Sequence, residues 1–192
     1  MRTSTKTLAG TAILAALVVV FDYTMKYSGL KIPFPWFPLL KFDFTGIPIV
    51  LSLLLFGLIP GVSTSVIASV AILARSGQVV GASMKGLAEL TTILGMAVAL
   101  KLFKRFGMVS SFALGITLRV LVMICVDLVL IYAGIIPLPA DYADAPVIVA
   151  LLLGAFNAVQ GTISILAGYS IYGAIKRRAP YLVRKNNGDE NS

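Results

Sequence analysis

Leu39-Leu40-Lys41-Phe42-Asp43-Phe44-Thr45-Gly46-Ile47-Pro48 is the stretch on which the reading of this chain turns. A cation and an acid alternate with aromatics, and Gly46 and Pro48 follow them. An apolar run from Ile49 to Leu58 begins at once. A lipid-facing segment has no use for Lys41 and Asp43, because a charge at the bilayer centre costs about 2.5–3.5 kcal/mol. The stretch therefore reads as a lip at the water boundary, folded over a site, with a helix starting behind it.

Composition outside the lip sets the class. Of 192 residues, 58% are hydrophobic and 12% charged, and mean hydropathy is +0.96. Soluble domains carry about 25% charged residues, and a soluble fold of this size cannot hide so much apolar surface. In lipid the backbone must satisfy its own polar groups, which leaves helices or a closed barrel. The apolar runs are long and do not alternate, so helices are expected. The chain has no His and a single Cys, Cys125, flanked by Met123, Ile124 and Val126. Cys125 reads as a small buried hydrophobe. Disulfides, zinc or other metal sites and His-based catalysis are excluded.

Six helices are expected in one bundle, an all-α integral membrane protein. Helix 1 covers Thr5 to Tyr27, and no small-residue cleavage site follows its apolar run, so it reads as retained. Its early half holds Ala12 and Ala16 one turn apart on one face, a spacing that admits a second helix backbone or is simple helix filler. Ser28 to Lys41 carries three prolines and cannot be a helix interior; Phe34, Trp36 and Phe37 suit the interface. Helix 2 covers Gly46 to Leu58, short for a crossing. Pro60-Gly61 is read as a turn, and helix 3 runs to Arg75. Ser76 to Ser83 is read as a loop. Helix 4 then covers Met84 to Phe103, helix 5 Ser110 to Ile135, and helix 6 Val147 to Ile175. Residues 1–180 form one transmembrane domain, and 181–192 a polar tail.

Six crossings place both termini on one side. That side would hold ten basic residues, from Arg2 and Lys6, Lys101 to Arg105, and Lys176 to Lys185. The other holds five: Lys26, Lys31, Lys41, Arg75 and Lys85. The positive-inside rule makes the termini cytoplasmic. The net charge of +8 then reflects topology, not nucleic-acid binding.

Polar groups converge in the outer half of this bundle. Lys85, Glu89, Thr92 and Met96 share one face of helix 4. Asp127 lies about two turns below the outer end of helix 5, with Arg119 deeper. Gly154, Asn157, Gly161, Ser164 and Gly168 form a stripe on helix 6, flanked by Gln160. Each has a structural alternative: Lys85–Glu89 as an interface ion pair, Arg119 as an ion-pair partner, the stripe as close packing. Nothing in the pattern is catalytic. The chain has no Gly-x-Ser-x-Gly elbow and no phosphate loop.

At this point the chain resembles the substrate-binding S component of an energy-coupling factor (ECF) vitamin transporter. Six helices, cytoplasmic ends and the Ala12-x-x-x-Ala16 spacing carry the likeness across most of the chain. Riboflavin-specific members are the most similar. They carry Leu-Lys-hydrophobic-Asp-Phe-Ser-Asp-Ile-Pro before helix 2, here Leu40 to Pro48, and Phe-Asn-x-x-Lys-Gly in the last helix, here Phe156 to Gly161. Gly46 replaces their usual Asp, Gln160 their Lys, and Asp127 stands where Asn is frequent. The resemblance implies a prokaryotic cell-membrane protein that binds riboflavin from outside and has no cofactor and no enzyme activity. A transmembrane coupling subunit, packed on Ala12 and Ala16, and two cytoplasmic ATPases would supply the energy. Candidate ligand-binding residues are Phe42, Asp43 and Thr45 in the lip, Lys85 and Glu89 on helix 4, Asp127 on helix 5, and Asn157 and Gln160 on helix 6. The alternatives are an S component for another vitamin, a small autonomous carrier, and a structural subunit that binds no small ligand.

Overall fold

The computed structural model describes residues 5–103, 106–138, 142 and 144–182, with the backbone alone at 37–39. These residues form α1 (Thr5–Tyr27), a hairpin of β1 (Ile32–Phe34) and β2 (Phe37–Phe42), α2 (Gly46–Phe56), α3 (Leu58–Ser76), α4 (Val79–Leu102), α5 (Gly107–Tyr132) and α6 (Pro146–Arg178). A 3-10 turn over Pro180–Leu182 follows. All helices except α2 are long and apolar enough to cross a bilayer. The expected charges at Arg2, Lys104, Arg105, Arg184 and Lys185, the acid Asp141, and the tail from residue 183 lie outside the described residues.

α2 has 11 residues, about 16 Å, well short of a ~30 Å hydrocarbon core. It is apolar on nearly every face, the pattern of a helix enclosed by others. Eight of its residues are buried. Ile49, Val50 and Leu53 form the centre of the core with Val18 of α1, Ile93 and Met96 of α4 and Ile165 of α6. The expected turn at Pro60-Gly61 is instead at Gly57, where φ is 98° and ψ −174°, a conformation that side chains other than Gly's resist. Pro60 falls in the first turn of α3, where a missing N–H costs nothing.

Two other expectations change. The loop expected over Ser76 to Ser83 shrinks to Gly77 and Gln78 before α4 begins at Val79. Packing overrides the weak helix preference of Gly81 and Ser83: Ala82 is buried, and its carbonyl accepts from Ser69 Oγ at 2.9 Å. The proline-rich segment forms an antiparallel hairpin, with Ile32 opposite Phe42 and Pro33 opposite Lys41. Prolines interrupt its ladder and leave it short. Phe34 is buried in the bundle, not held at the interface, while Trp36 is 60% exposed.

Small residues set the helix spacing. A methyl group on Gly95 of α4 would lie 2.9 Å from Gly115 Cα of α5, so those backbones touch. Cys125, expected inside, is exposed on α5; the buried face of α5 is the one carrying Gly115, Arg119, Met123 and Asp127. Lys6 donates to the Tyr181 carbonyl, so the start of α1 and the end of α6 lie at the same end of the bundle.

Candidate functional site

At the opposite end, a cavity of about 650 Å³ opens between late α1, the hairpin, the α3–α4 turn, late α5 and early α6. Met123, Leu153, Phe156 and Ile136 supply apolar wall. Phe156 stacks at a tilt on Phe42, centroids 4.9 Å apart, and meets Phe34 at 5.4 Å. The hairpin's aromatics thus seat it on α6 beside the cavity.

The lip does not lie above the bundle; it is tucked inside it. Asp43 and Thr45 are buried. The Asp43 N–H donates to Gln160 Oε1 at 3.3 Å, and Gln160 Nε2 donates to the Asp43 carbonyl at 2.8 Å. Asp43 Oδ1 accepts from the Thr45 hydroxyl and from Lys85 Nζ, each at 2.7 Å. Burial alone would raise the Asp43 carboxyl. Lys85, Thr45 and Lys31 together outweigh it and hold the group below the ordinary carboxylate range.

Charges alternate from the cavity mouth into the bundle. Arg75 of α3 donates from Nε to Asp22 Oδ2 at 2.5 Å. Lys31 reaches Asp22 at 2.7 Å and Asp43 at 3.9 Å. Lys85 bridges Asp43 and Glu89, the latter at 3.5 Å. Arg119 donates to Glu89 Oε1 at 3.2 Å, to Thr92 Oγ1 at 3.1 Å and to Asn157 Oδ1 at 3.1 Å. Each charge of this ladder thus has an opposite neighbour, the condition under which such groups persist in a bundle. Gly161 makes room: a methyl group there would lie 3.1 Å from Arg119 Cδ.

The candidate residues divide by role. Asp43, Lys85, Asp127, Asn157 and Gln160 line the cavity. Phe42, Thr45 and Glu89 do not; Phe42 packs on Phe156, Thr45 holds Asp43, and Glu89 holds Arg119 and Lys85. Asn157 already has partners at both polar ends, Arg119 and the Leu153 carbonyl. Asp127 differs: it is 3% exposed, and its Oδ2 has no hydrogen-bond partner among the described residues. A buried unpaired acceptor costs about 1–3 kcal/mol. Asp127 is therefore the wall group best suited to take a donor from a ligand.

Sequence reading missed Asp22, Lys31 and Arg75 as site residues. An acid near the end of an apolar helix was the available signal for Asp22. Gly46, where riboflavin-specific S components usually carry Asp, faces away from the cavity. A side chain there would run into Ser164 and come within 2.8 Å of Glu89 Oε2. Ala12 and Ala16 are both exposed on α1, far from the cavity.

No protein-family model and no curated protein matches the chain. Among solved structures, the S component of a bacterial ECF transporter is similar, with a TM-score of 0.68 and 21% identity over 93% of this chain and 98% of that one. This multi-pass membrane protein thus has the fold of that S component over 93% of its length.

Proposed function

We propose that the chain is the vitamin-binding S component of an ECF-type importer in a prokaryotic plasma membrane, with riboflavin as its ligand. The cavity carries this reading: about 650 Å³ of space in which Phe156 and aliphatic side chains share the wall with amides and charged groups, a combination that suits a flat heterocycle with a polar rim. Asp127 presents an unpaired carboxylate oxygen to it, beside the amides of Gln160 and Asn157, which protein partners hold in place. The hairpin forms its cover. A separate coupling subunit and two cytoplasmic ATPases would energise release, with the termini of this chain on the cytoplasmic side.

Another vitamin is the second reading, favoured by Gln160. Its neutral amide brings no cation of the kind that riboflavin-specific members usually carry there, and its hydrogen bonds go to the Asp43 backbone. A small autonomous carrier, the remaining alternative, would transport without ATPase subunits.

Purified protein freed of ligand is expected to quench riboflavin fluorescence with one-to-one stoichiometry at or below micromolar concentration. No quenching at micromolar riboflavin rejects riboflavin; saturable heat with a different vitamin in calorimetry would then identify the ligand class. Asp127→Asn sharpens the test. It removes no protein partner of Oδ2, so melting in detergent should be unchanged, while ligand affinity falls about tenfold, the equivalent of one lost hydrogen bond. Wild-type affinity in Asp127→Asn would remove this residue from the site.

A further inference from the structure

The cations lining the cavity are not equally free. Lys31, Lys41 and Arg75 are shared with a neighbouring cavity; Lys85 and Arg119 belong to this one alone. The Arg119 side chain is 1% exposed, and Glu89, Thr92 and Asn157 hold it back in the wall. The Lys85 side chain is 18% exposed. Its ammonium has three N–H groups. One goes to Asp43 Oδ1 at 2.7 Å, and Glu89 Oε1 lies at 3.5 Å. With both carboxylates served, an N–H remains for whatever fills the cavity. Helix geometry aims it there: side chains lean toward a helix's N-terminus, so the stem of Lys85 rises toward the start of α4, where Val79 to Ala82 line the same cavity.

The carboxylate that holds Lys85 is itself fixed. A carboxamide carries one acceptor and one donor group, which match the N–H and C=O of a single residue. Gln160 uses them so on Asp43, at 3.3 Å and 2.8 Å, just past the end of β2 at Phe42. Thr45 then donates both its N–H and its hydroxyl to Asp43 Oδ1, at 3.1 Å and 2.7 Å. Gln160 is 1% exposed, Asp43 6% and Thr45 0%, so little water competes for these bonds. A chain of contacts therefore runs from α6 through the lip to the ammonium on α4.

We propose that Lys85 is a specificity-determining residue, which donates to a ring carbonyl of the ligand, and that Gln160 is its positioning residue, acting through Asp43. Lys85 thus supplies from α4 the cation that Gln160 does not bring from α6. Asp127 takes a donor and Lys85 gives one, so the ligand carries both an N–H and a carbonyl, as a cyclic amide or imide does. A ring with amino groups alone leaves Lys85 unmatched. The assignment rests on the flavin reading of the cavity.

The test uses the full chain in detergent, stripped of ligand, with calorimetric titration of riboflavin and of its 2-thio and 4-thio analogues. In each analogue a sulfur, a poor acceptor, replaces one ring carbonyl oxygen. Wild-type protein should bind one of the two at least tenfold more weakly than riboflavin. Lys85→Met should weaken riboflavin at least tenfold, the loss expected for one charged hydrogen bond, and should reduce the discrimination against that analogue to less than threefold. Gln160→Leu should weaken riboflavin threefold or more, and adding it to Lys85→Met should cost less than twofold further, because it acts on the same donor. Riboflavin binding within threefold of wild type in Lys85→Met overturns the role of Lys85. So does discrimination that survives in that variant, which would report the bulk of sulfur. Two thio analogues that bind wild-type protein as riboflavin does overturn it without any variant, which keeps the test decisive if Lys85→Met does not fold. Losses that add in the double variant overturn the positioning role of Gln160 and leave Lys85 in place. Wild-type protein that binds no riboflavin removes the proposed function, and this assignment with it.

Discussion

Ala12→Trp with Ala16→Trp is expected to leave vitamin binding intact and to abolish both co-purification with a coupling subunit and ATP-dependent uptake. Both alanines are exposed, so neither packs inside the bundle and two indoles can be accommodated without disturbing the core. They lie about 10 Å and 16 Å along α1 from Thr5, in the half away from the cavity. Small residues one turn apart let a partner backbone approach closely, and Trp holds it off. Binding and complex formation measured on the same purified sample distinguish the outcomes. Loss of both together would mean that the alanines support the fold of this chain. Retention of complex and uptake would remove them from the coupling interface.

Arg119→Met should cost more stability than any other single change considered, about 3–5 kcal/mol. Arg119 is 1% exposed and is held by Glu89, Thr92 and Asn157. Met fills much of its volume but leaves Glu89 with Lys85 alone, at 3.5 Å. A buried carboxylate deprived of its closer partner is the costly species, not the missing cation. Arg119→Met combined with Glu89→Gln should therefore recover a large part of the loss. Thermal unfolding in detergent, followed by retention of a monodisperse peak on size exclusion, reads both variants. A single variant as stable as wild type, or a double variant less stable than the single, would show that the ladder does not hold the bundle in this way.

The helices were legible in the sequence because lipid makes them so. A backbone that finds no water must bond to itself, and each apolar run then declares a helix from local composition. α1 begins and ends where composition places it. The inward faces of α4 and α6 were equally readable, since Glu89, Thr92 and Met96, or Asn157, Gly161 and Ser164, recur at helical spacing. Cys125 was not, because in a bilayer an apolar neighbourhood in sequence marks lipid-facing and core positions alike.

Apart from the i,i+4 pair of Lys85 and Glu89, which charges meet was decided by tertiary structure. Asp22 and Arg75 are 53 residues apart, Asp43 and Lys85 42, and Asp43 and Gln160 117. No local period encodes such pairings; those of Asp43 exist because the lip ahead of α2 is drawn down between α4 and α6, and that of Asp22 with Arg75 because α1 packs on α3. The sequence by itself determined that an acid such as Asp43, once drawn into the bundle, needed partners, since ions do not face lipid unpaired. Only the packing of six helices and a hairpin determined who those partners are. Among the described residues it also left two buried carboxylate oxygens without a hydrogen-bond partner, Glu89 Oε2 and Asp127 Oδ2, and of these two residues only Asp127 lines the cavity.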